Sequence, residues 1–197
     1  MTALLSSQGN IILDATSVTN LCACGHLHDI CDVIGKQFFV ASHVQREARY
    51  LYGQPARVLE DKPNELIDWG FITMGQLITT TDPHSEEELA TWISLVAMGL
   101  EEGDALTCAL AHHRRWILAS DNEHTLIWLH SNLPELSVIT TLDLVQEWNK
   151  LATPSIEILL DSLWGMKDRG SYEPHHAHYL HDWWVAMLSS DSKSHDE

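Results

Sequence analysis

Short apolar runs alternate along the chain with longer segments in which apolar residues recur every three or four positions. The short runs predict buried strands and the longer segments predict helices, because these spacings match the strand and helix periods. The predicted strands are residues 11–13, 38–40, 116–119 and 138–140, with a further strand within 71–81. Strands that alternate with helices are typical of parallel β-α units, so we predict an α/β fold.

The helical segments lie between these strands and after the last of them. Gly25 and Gly35 end the first two, and Ser42 is a candidate cap for the third. The predicted helices are 18–21, 27–34, 42–50, 82–99, 102–113, 122–129 and 142–151. Residues 53–70 contain prolines and scattered charges without a period, which predicts a loop with one short helix.

Beyond Pro154 the pattern is helical only, over 155–166 and 174–188. A segment of about forty residues buries too little apolar surface to fold alone. We therefore predict one domain over 1–152, a helical extension over 153–188 that packs on it, and a mobile polar tail over 189–197.

The composition supports a globular protein: 45% of the 197 residues are hydrophobic, enough for a sizeable core. The 28 carboxylates against 11 Lys and Arg give a formal charge of −17, which argues against a protein that covers nucleic acid with positive surface. A metal-dependent enzyme is compatible with this charge.

No apolar run is long enough to span a membrane, and residues 1–10 hold no Lys or Arg, which makes a poor secretory signal. The four bunched cysteines favour a reducing cytoplasm over a disulfide framework.

Two acids, Asp14 and Asp121, directly follow predicted strands. The carboxyl ends of parallel strands meet at one edge of a sheet, where ligands gather, so these carboxylates are expected to converge. Glu47 lies on the predicted helix after the second strand, where we expect it near the sheet edge, and Asp104 lies in a segment that opens a later helix. Glu102 would lie about 200° from Asp104 on a helix, so we favour Asp104 and keep Glu102 as a supporting residue. Clustered carboxylates repel unless a hard divalent cation binds between them.

Four short segments around these acids occur in a fixed order: IILDATSVTNL at 11–21, VQRE at 44–47, EGDAL at 102–106 and LASDN at 118–122. In this order they resemble the motifs of PIN domains, and the resemblance covers roughly residues 9–145. Two positions depart from the family pattern. Asn122 stands where members often carry a second acid, and Glu101 stands where Gly is common.

The resemblance implies a three-layer α/β/α fold with a mostly parallel central sheet, and a Mg²⁺- or Mn²⁺-dependent endoribonuclease. Such proteins are often the toxins of bacterial toxin–antitoxin pairs, which implies an antitoxin partner and a homodimer. The implied catalytic residues and metal ligands are Asp14, Glu47, Asp104 and Asp121. The polar residues that would support them are Thr16, Asn20, Glu102 and Asn122.

RNA must approach a strongly acidic protein, so we expect its binding to depend on a local group of cations. Arg46 and Arg49 are the first candidates because they flank Glu47. The other candidates are Lys36, Arg57, Arg114 and Arg115.

Two other functions compete with the ribonuclease. A PIN-like module that has lost catalysis and binds a protein partner fits the charge and Asn122. A nucleotide-binding module fits less well, because the chain has no Gly-rich phosphate loop.

Several conspicuous residues have structural explanations. Cys22, Cys24 and Cys31 invite a zinc interpretation, but their spacing is typical of thiols in a core. The histidines of 175–181 are expected at a polar helix start, and the glutamates of 86–88 at a helix N-terminus. Four tryptophans are predicted in the core: Trp92, Trp116, Trp128 and Trp148. Three more either pack the extension onto the domain or form an exposed surface: Trp164, Trp183 and Trp184.

Overall fold

The computed structural model describes residues 9–51 and 65–191. Its strands are β1 (Ile11–Leu13), β2 (Phe38–Ala41), β3 (Tyr50–Leu51), β4 (Glu65–Leu66), β5 (Ile78–Thr81), β6 (Ile117–Ala119) and β7 (Val138–Ile139). Five of them form a sheet in the order β5-β2-β1-β6-β7, and every neighbouring pair is parallel. Strands β3 and β4 form a separate antiparallel pair. The predicted α/β fold with a parallel sheet is confirmed.

Ten helices accompany the strands within the described ranges. They are α1 (Ala15–Cys24), α2 (Leu27–Ile34), α3 (Val44–Glu47), α4 (Trp69–Met74), α5 (Glu86–Ala97), α6 (Glu102–Arg114), α7 (Glu123–Asn132), α8 (Thr141–Ala152), α9 (Ile156–Arg169) and α10 (His181–Asp191). Short polar side chains cap the N-termini of α1, α5, α7, α8 and α9. None of the helices in 9–51 and 65–191 is long and apolar enough to cross a membrane.

The central sheet separates two hydrophobic cores, because successive side chains of a strand point to opposite faces. Ile11 and Leu13 belong to the first core, with buried residues of α1, α2, α8, α9 and α10. Ile12 belongs to the second core, with buried residues of α5, α6 and α7. Helices therefore cover both faces, and the fold has three layers.

The C-terminal helices share the first core. Leu163 and Met166 of α9 are fully buried, and Trp184 of α10 is 2% exposed. Trp164 and Trp183 pack against the same core while partly exposed, so these tryptophans attach the helices to the sheet rather than form a free surface. Of the tryptophans predicted in the core, Trp148 is buried, whereas three are only partly buried against the second core: Trp92, Trp116 and Trp128.

Two predicted elements between β2 and β5 need correction. The strand expected within 71–81 is confined to β5, and α4 precedes it because the Asp68 side chain accepts a hydrogen bond from the Phe71 backbone N–H. The helix expected over 42–50 ends at Glu47, since Tyr50 and Leu51 pair with β4. Residues 53–64 of the predicted loop lie outside the described residues.

The last predicted helix also starts later than expected. Residues 174–180 are not helical, because His178 Nε2 is hydrogen-bonded to Thr140 Oγ1 and Tyr179 Oη donates to Asp143 Oδ1. These bonds tie the segment to the start of α8. Helix α10 then continues to Asp191, into the predicted tail, and residues 1–8 and 192–197 lie outside the described part.

Candidate functional site

Asp14 directly follows β1 and caps the N-terminus of α1. Its Oδ1 accepts hydrogen bonds from the Ser17 backbone N–H (2.7 Å) and from Thr16 Oγ1 (2.8 Å). The residue is only 3% exposed, and its Oδ2 is buried without a hydrogen-bond partner. A buried acceptor without a partner is costly, so this oxygen points to a ligand or to a bound proton.

Asp121 follows β6, the strand next to β1, two residues beyond the Leu13–Ala119 register pair. Its Oδ2 accepts from Asn20 Nδ2 (2.8 Å) and from Thr141 Oγ1, and its Oδ1 accepts from the Thr141 backbone N–H (2.9 Å). Side chains from α1 and α8 therefore fix this carboxylate. The predicted supporting role of Asn20 corresponds to a contact that orients Asp121.

The two carboxyls interact electrostatically. Burial and, to a lesser extent, the neighbouring Asp121 charge together raise the pKa of Asp14 to about 7. Burial also raises the pKa of Asp121, against the hydrogen bonds from Thr141 and Asn20 that lower it. The pair therefore holds its negative charge at a cost, which a cation placed between the carboxylates would remove.

Asp104 lies in the first turn of α6 and is linked to the Asp121 loop. Its Oδ2 accepts from Asn122 Nδ2 (2.9 Å) and from Thr125 Oγ1. The Asn122 Oδ1 in turn caps α7 by accepting from the His124 backbone N–H (3.1 Å). Asn122 therefore supplies an amide donor that holds Asp104 at the residue next to Asp121.

Glu47, at the end of α3, is the most exposed of the four predicted acids, with 51% of its side chain accessible. It lies against the backbone next to Asp104, since a Cβ added at Gly103 would sit 2.7 Å from Glu47 Oε1. Partial burial raises the pKa of Glu47, and the charges of Asp104 and Glu101 raise it further. Glycine at 103 is what allows the Glu47 carboxylate this close approach.

Glu47 lies between two cavities. The first, here called the acidic cavity, has a volume of about 350 Å³ and is also lined by Thr16, Asn20, Asp121 and Glu173. The second, here called the side cavity, has a volume of about 310 Å³ and is lined by residues that follow β2 and β5 and by the starts of α5 and α6. Asp14, Asp121 and Glu47 follow β1, β6 and β2, and Asp104 is hydrogen-bonded to Asn122, so the four predicted acids lie at the carboxyl edge of the sheet.

The described side chains do not form a preorganised metal site with three or more protein ligands. Within 9–51 and 65–191, no three His, Cys, Asp or Glu side chains lie close enough together to hold a metal ion. The closely coupled carboxyls are the pair Asp14 and Asp121, while Asp104 is held by Asn122 and Thr125. A shared centre of four carboxylate ligands stays a prediction. Mg²⁺, however, is usually bound by one or two carboxylates together with waters and substrate phosphate.

The two arginines proposed for RNA binding lie close to Glu47 in sequence but differ in position. Arg46 is exposed and lines the side cavity. Arg49 is exposed too, and its guanidinium lies 5.7 Å from the centre of the Tyr50 ring. Arg46 is therefore the one whose charge faces a cavity of the candidate site.

The other proposed cations are placed less favourably. Arg114 is bound by the buried Glu88, with Nε 2.7 Å from Oε1, so it serves the packing of α5 on α6 and not a substrate. Lys36 precedes β2 and Arg115 precedes β6, which puts both at the opposite edge of the sheet. Arg57 lies outside the described residues.

The sequence prediction missed His43. This residue is 8% exposed, its Nε2 lies 4.0 Å from Glu47 Oε2, and its ring packs against Gly103. Its position in the sequence could have indicated it, because Ser42 and His43 directly follow β2, just as Asp14 directly follows β1. Thr125 and Thr141 carried no such signal, since a hydroxyl near a helix start is usually just a cap.

The cysteine-rich segment has the properties of a core. All four cysteines are free, and burial raises the pKa of three of them to about 12: Cys22, Cys24 and Cys31. Protonated, buried thiols are poor nucleophiles and poor metal ligands.

Comparison of this chain with known proteins found no family model, no curated protein and no solved structure that matches it.

Proposed function

We propose that the chain is a divalent-cation-dependent endoribonuclease whose cation binds at Asp14 and Asp121. One observation carries the proposal: the buried Asp14 Oδ2 has no partner and lies beside a second carboxylate at the carboxyl edge of the sheet. The resemblance of four ordered segments to PIN domains supports the same chemistry.

The donor atoms fit a hard cation such as Mg²⁺ or Mn²⁺, because they are carboxylate oxygens without thiolate or imidazole. Asp14 and Asp121 would hold it, each already oriented by hydrogen bonds. When bound, the cation would lower the pKa of a coordinated water and stabilise the charge that develops on the cleaved phosphodiester.

The remaining residues have separate roles in this proposal. Asn122 and Thr125 keep the Asp104 carboxylate turned toward the Asp121 loop. Glu47 is exposed and has a raised pKa, so its carboxylate is suited to accept the proton of the attacking water. Thr16 holds the two strand ends together, since its hydroxyl donates to Asp14 and accepts from the Asp121 backbone N–H (3.4 Å).

The proposal predicts a pH dependence of cation binding. Because the pKa of Asp14 is about 7, a cation must displace a proton there below neutrality. The affinity for Mg²⁺ or Mn²⁺ should fall about tenfold for each pH unit below 7 and level off above it. Calorimetric titration at several pH values measures this directly.

Cleavage of single-stranded and structured RNA in the presence of Mg²⁺ or Mn²⁺ tests the activity. Asp14→Asn and Asp121→Asn should each lower the rate about a hundredfold or more. Asp32→Asn is the matched control, since Asp32 is a 67% exposed acid on α2. A wild-type protein that cleaves neither RNA, or an Asp14→Asn variant as active as wild type, would refute the proposal.

A non-catalytic interaction module is the competing function. It is favoured by the commitment of the Asp104 and Asp121 oxygens to hydrogen bonds within the chain. Such a protein would fold normally, bind no divalent cation in calorimetry and cleave no RNA.

An antitoxin partner and a homodimer follow from the resemblance only. Native mass spectrometry of this protein, co-expressed with the product of the neighbouring gene, tests both. The free cysteines support a cytoplasmic location.

A further inference from the structure

The segment between α9 and α10 crosses the carboxyl edge of the sheet, next to the acids of the candidate site. Residues 170–173 line the acidic cavity together with Asp121. Residues 174–180 follow them without helical structure and lead into α10. This segment lies outside the range that resembles PIN domains, so the family pattern assigns it no role. We call residues 170–179 the C-terminal strap.

The start of the strap contacts one of the two residues that hold Asp121. A Cβ added at Gly170 would lie 2.6 Å from Asn20 Oδ1, so the Gly170 backbone lies directly against the Asn20 side chain. Asn20 Nδ2 in turn donates to Asp121 Oδ2 (2.8 Å). Because the residue at 170 has no side chain, the Asn20 amide can keep the orientation in which it reaches Asp121.

The other residue that holds Asp121 is Thr141, the first residue of α8. It donates to Asp121 Oδ1 from its backbone N–H (2.9 Å) and to Oδ2 from its hydroxyl. Thr140 and Asp143 form the capping box that starts α8. A capping box fixes the first turn of a helix, and here that turn is the one from which Thr141 reaches Asp121.

The end of the strap is bonded to this capping box. His178 Nε2 lies 3.1 Å from Thr140 Oγ1, and Tyr179 Oη donates to Asp143 Oδ1 (2.5 Å). Tyr172, between the two ends, is 8% exposed and belongs to the first core, which fixes the middle of the strap. The strap therefore contacts both groups that orient the Asp121 carboxylate.

We infer that the C-terminal strap positions the Asp121 carboxylate, by holding Asn20 on one side and the capping box of α8 on the other. Its members act through Asn20 and Thr141, so they are positioning residues. The inference rests on the proposed function, in which Asp121 is a ligand of the cation, and adds that a segment outside the PIN-like domain completes the cation site. A ligand that is oriented in advance binds a cation more tightly, because less conformational freedom is lost on binding.

Amide hydrogen exchange at Thr141 reports the position of Asp121 without any cation. The Thr141 backbone N–H donates to Asp121 Oδ1, so its protection from exchange depends on that bond. The Asp14 backbone N–H, which donates to the Ala119 backbone oxygen (3.1 Å), reports opening of the sheet itself. NMR in EDTA measures both amides in one sample.

Tyr179→Phe removes the hydroxyl that bonds Asp143, at a position that tolerates the change because it is 57% exposed. It should accelerate exchange at Thr141 about tenfold, the effect of losing one hydrogen bond to a carboxylate, and leave exchange at Asp14 unchanged. Tyr50→Phe, at an exposed tyrosine of β3, is the matched control and should change neither amide.

Two further positions test the other contacts of the strap. His178→Ala should accelerate exchange at Thr141, and His178→Gln, which can still bond Thr140, should restore most of the protection. Gly170→Ala should displace Asn20 and loosen its hold on Asp121, so exchange at Thr141 should rise there as well.

Calorimetric titration with Mn²⁺ separates this inference from the proposed function. Tyr179→Phe should bind Mn²⁺ several-fold more weakly than wild type, whereas Tyr50→Phe should bind it equally well. Faster exchange at Thr141 in Tyr179→Phe, with a wild-type protein that binds no Mn²⁺, would support the strap and contradict the cation site alone. Wild-type binding of Mn²⁺ with unchanged exchange at Thr141 in both Tyr179→Phe and His178→Ala would overturn the inference and leave the proposed function standing. Equal acceleration at Thr141 and Asp14 would also overturn it, because the strap would then stabilise only the fold.

Discussion

Replacing Asp14 by Asn should stabilise the cation-free protein at neutral and alkaline pH. Burial beside Asp121 raises the pKa of Asp14 from 3.8 to about 7. Once this carboxyl is ionised, the difference between its folded and unfolded pKa costs the folded protein about 4 kcal/mol, at roughly 1.4 kcal/mol per pH unit. The asparagine oxygen can still accept the hydrogen bonds from Thr16 and Ser17 that the Asp14 Oδ1 accepts.

The sign of the pH dependence follows from proton binding. Between pH 4 and 7 the folded protein keeps a proton on Asp14 that the unfolded chain has released. Its free energy of unfolding therefore falls as the pH rises through this window and becomes constant above about 7. Burial lowers the pKa of His43, so just below the ordinary value of 6.5 the unfolded chain binds a proton that the folded protein does not, and the free energy of unfolding rises with pH there. This contribution is present in both proteins and cancels in the difference between their stabilities.

Urea unfolding in EDTA at pH 5 and pH 8 measures the effect. The Asp14→Asn variant should be more stable than wild type at pH 8, by up to about 4 kcal/mol, and should lose that advantage toward pH 4. Mg²⁺ at a hundred times its dissociation constant should stabilise wild type by about 2.7 kcal/mol and the variant by nothing. A variant less stable than wild type at pH 8, or a difference that does not change with pH, would refute the reasoning.

Three further substitutions test other parts of the structure. Gly103→Ala should slow cleavage and lower the free energy of unfolding by about 1–3 kcal/mol, because the new Cβ would lie 2.7 Å from both the Glu47 carboxylate and the buried His43 ring. Cation affinity in calorimetry should stay unchanged, since the cation is proposed to bind at Asp14 and Asp121; cleavage rates and urea unfolding measure the other two effects. Arg114→Leu should lower the free energy of unfolding by about 3 kcal/mol, since it leaves the buried Glu88 charge unpaired, whereas an unchanged urea midpoint would contradict the buried ion pair. Trp184→Ala should cost about 3–5 kcal/mol in a single cooperative transition, and a separate early transition would mean that the C-terminal helices fold independently.

The centre of the sheet was predictable because β1 and β6 are short, apolar and buried on both faces. A run such as Ile11 to Leu13 has no polar face to place in solvent, so it fits only the centre of a covered sheet. The acids that follow such strands then share an edge by topology alone. Asp14 and Asp121 could be paired from sequence for this reason, across more than a hundred residues.

The side-chain partners could not be predicted in the same way. The orientation of Asp104 depends on Asn122 and Thr125, which reach it only after α6 and α7 have packed on the sheet. The pairing of Arg114 with Glu88 depends likewise on how α5 meets α6. Such contacts arise from packing, whereas the periodicity of one segment reports only which face it buries.

The segment before α10 shows a local pattern overruled by distant contacts. Residues 174–180 read as a polar helix start, but Tyr179 donates to Asp143 and His178 bonds Thr140, both in the first turn of α8 or its cap. Forming the predicted helix from Pro174 would require breaking these bonds.

A crystal soaked in Mn²⁺ and measured for anomalous scattering tests most directly whether the carboxyl edge binds a cation. We expect a peak within coordination distance of the partnerless Asp14 Oδ2 and of Asp121, lost in crystals of Asp14→Asn. A soaked crystal with no peak at these two carboxylates, or with Mn²⁺ bound only elsewhere on the acidic surface, would contradict the proposed cation site.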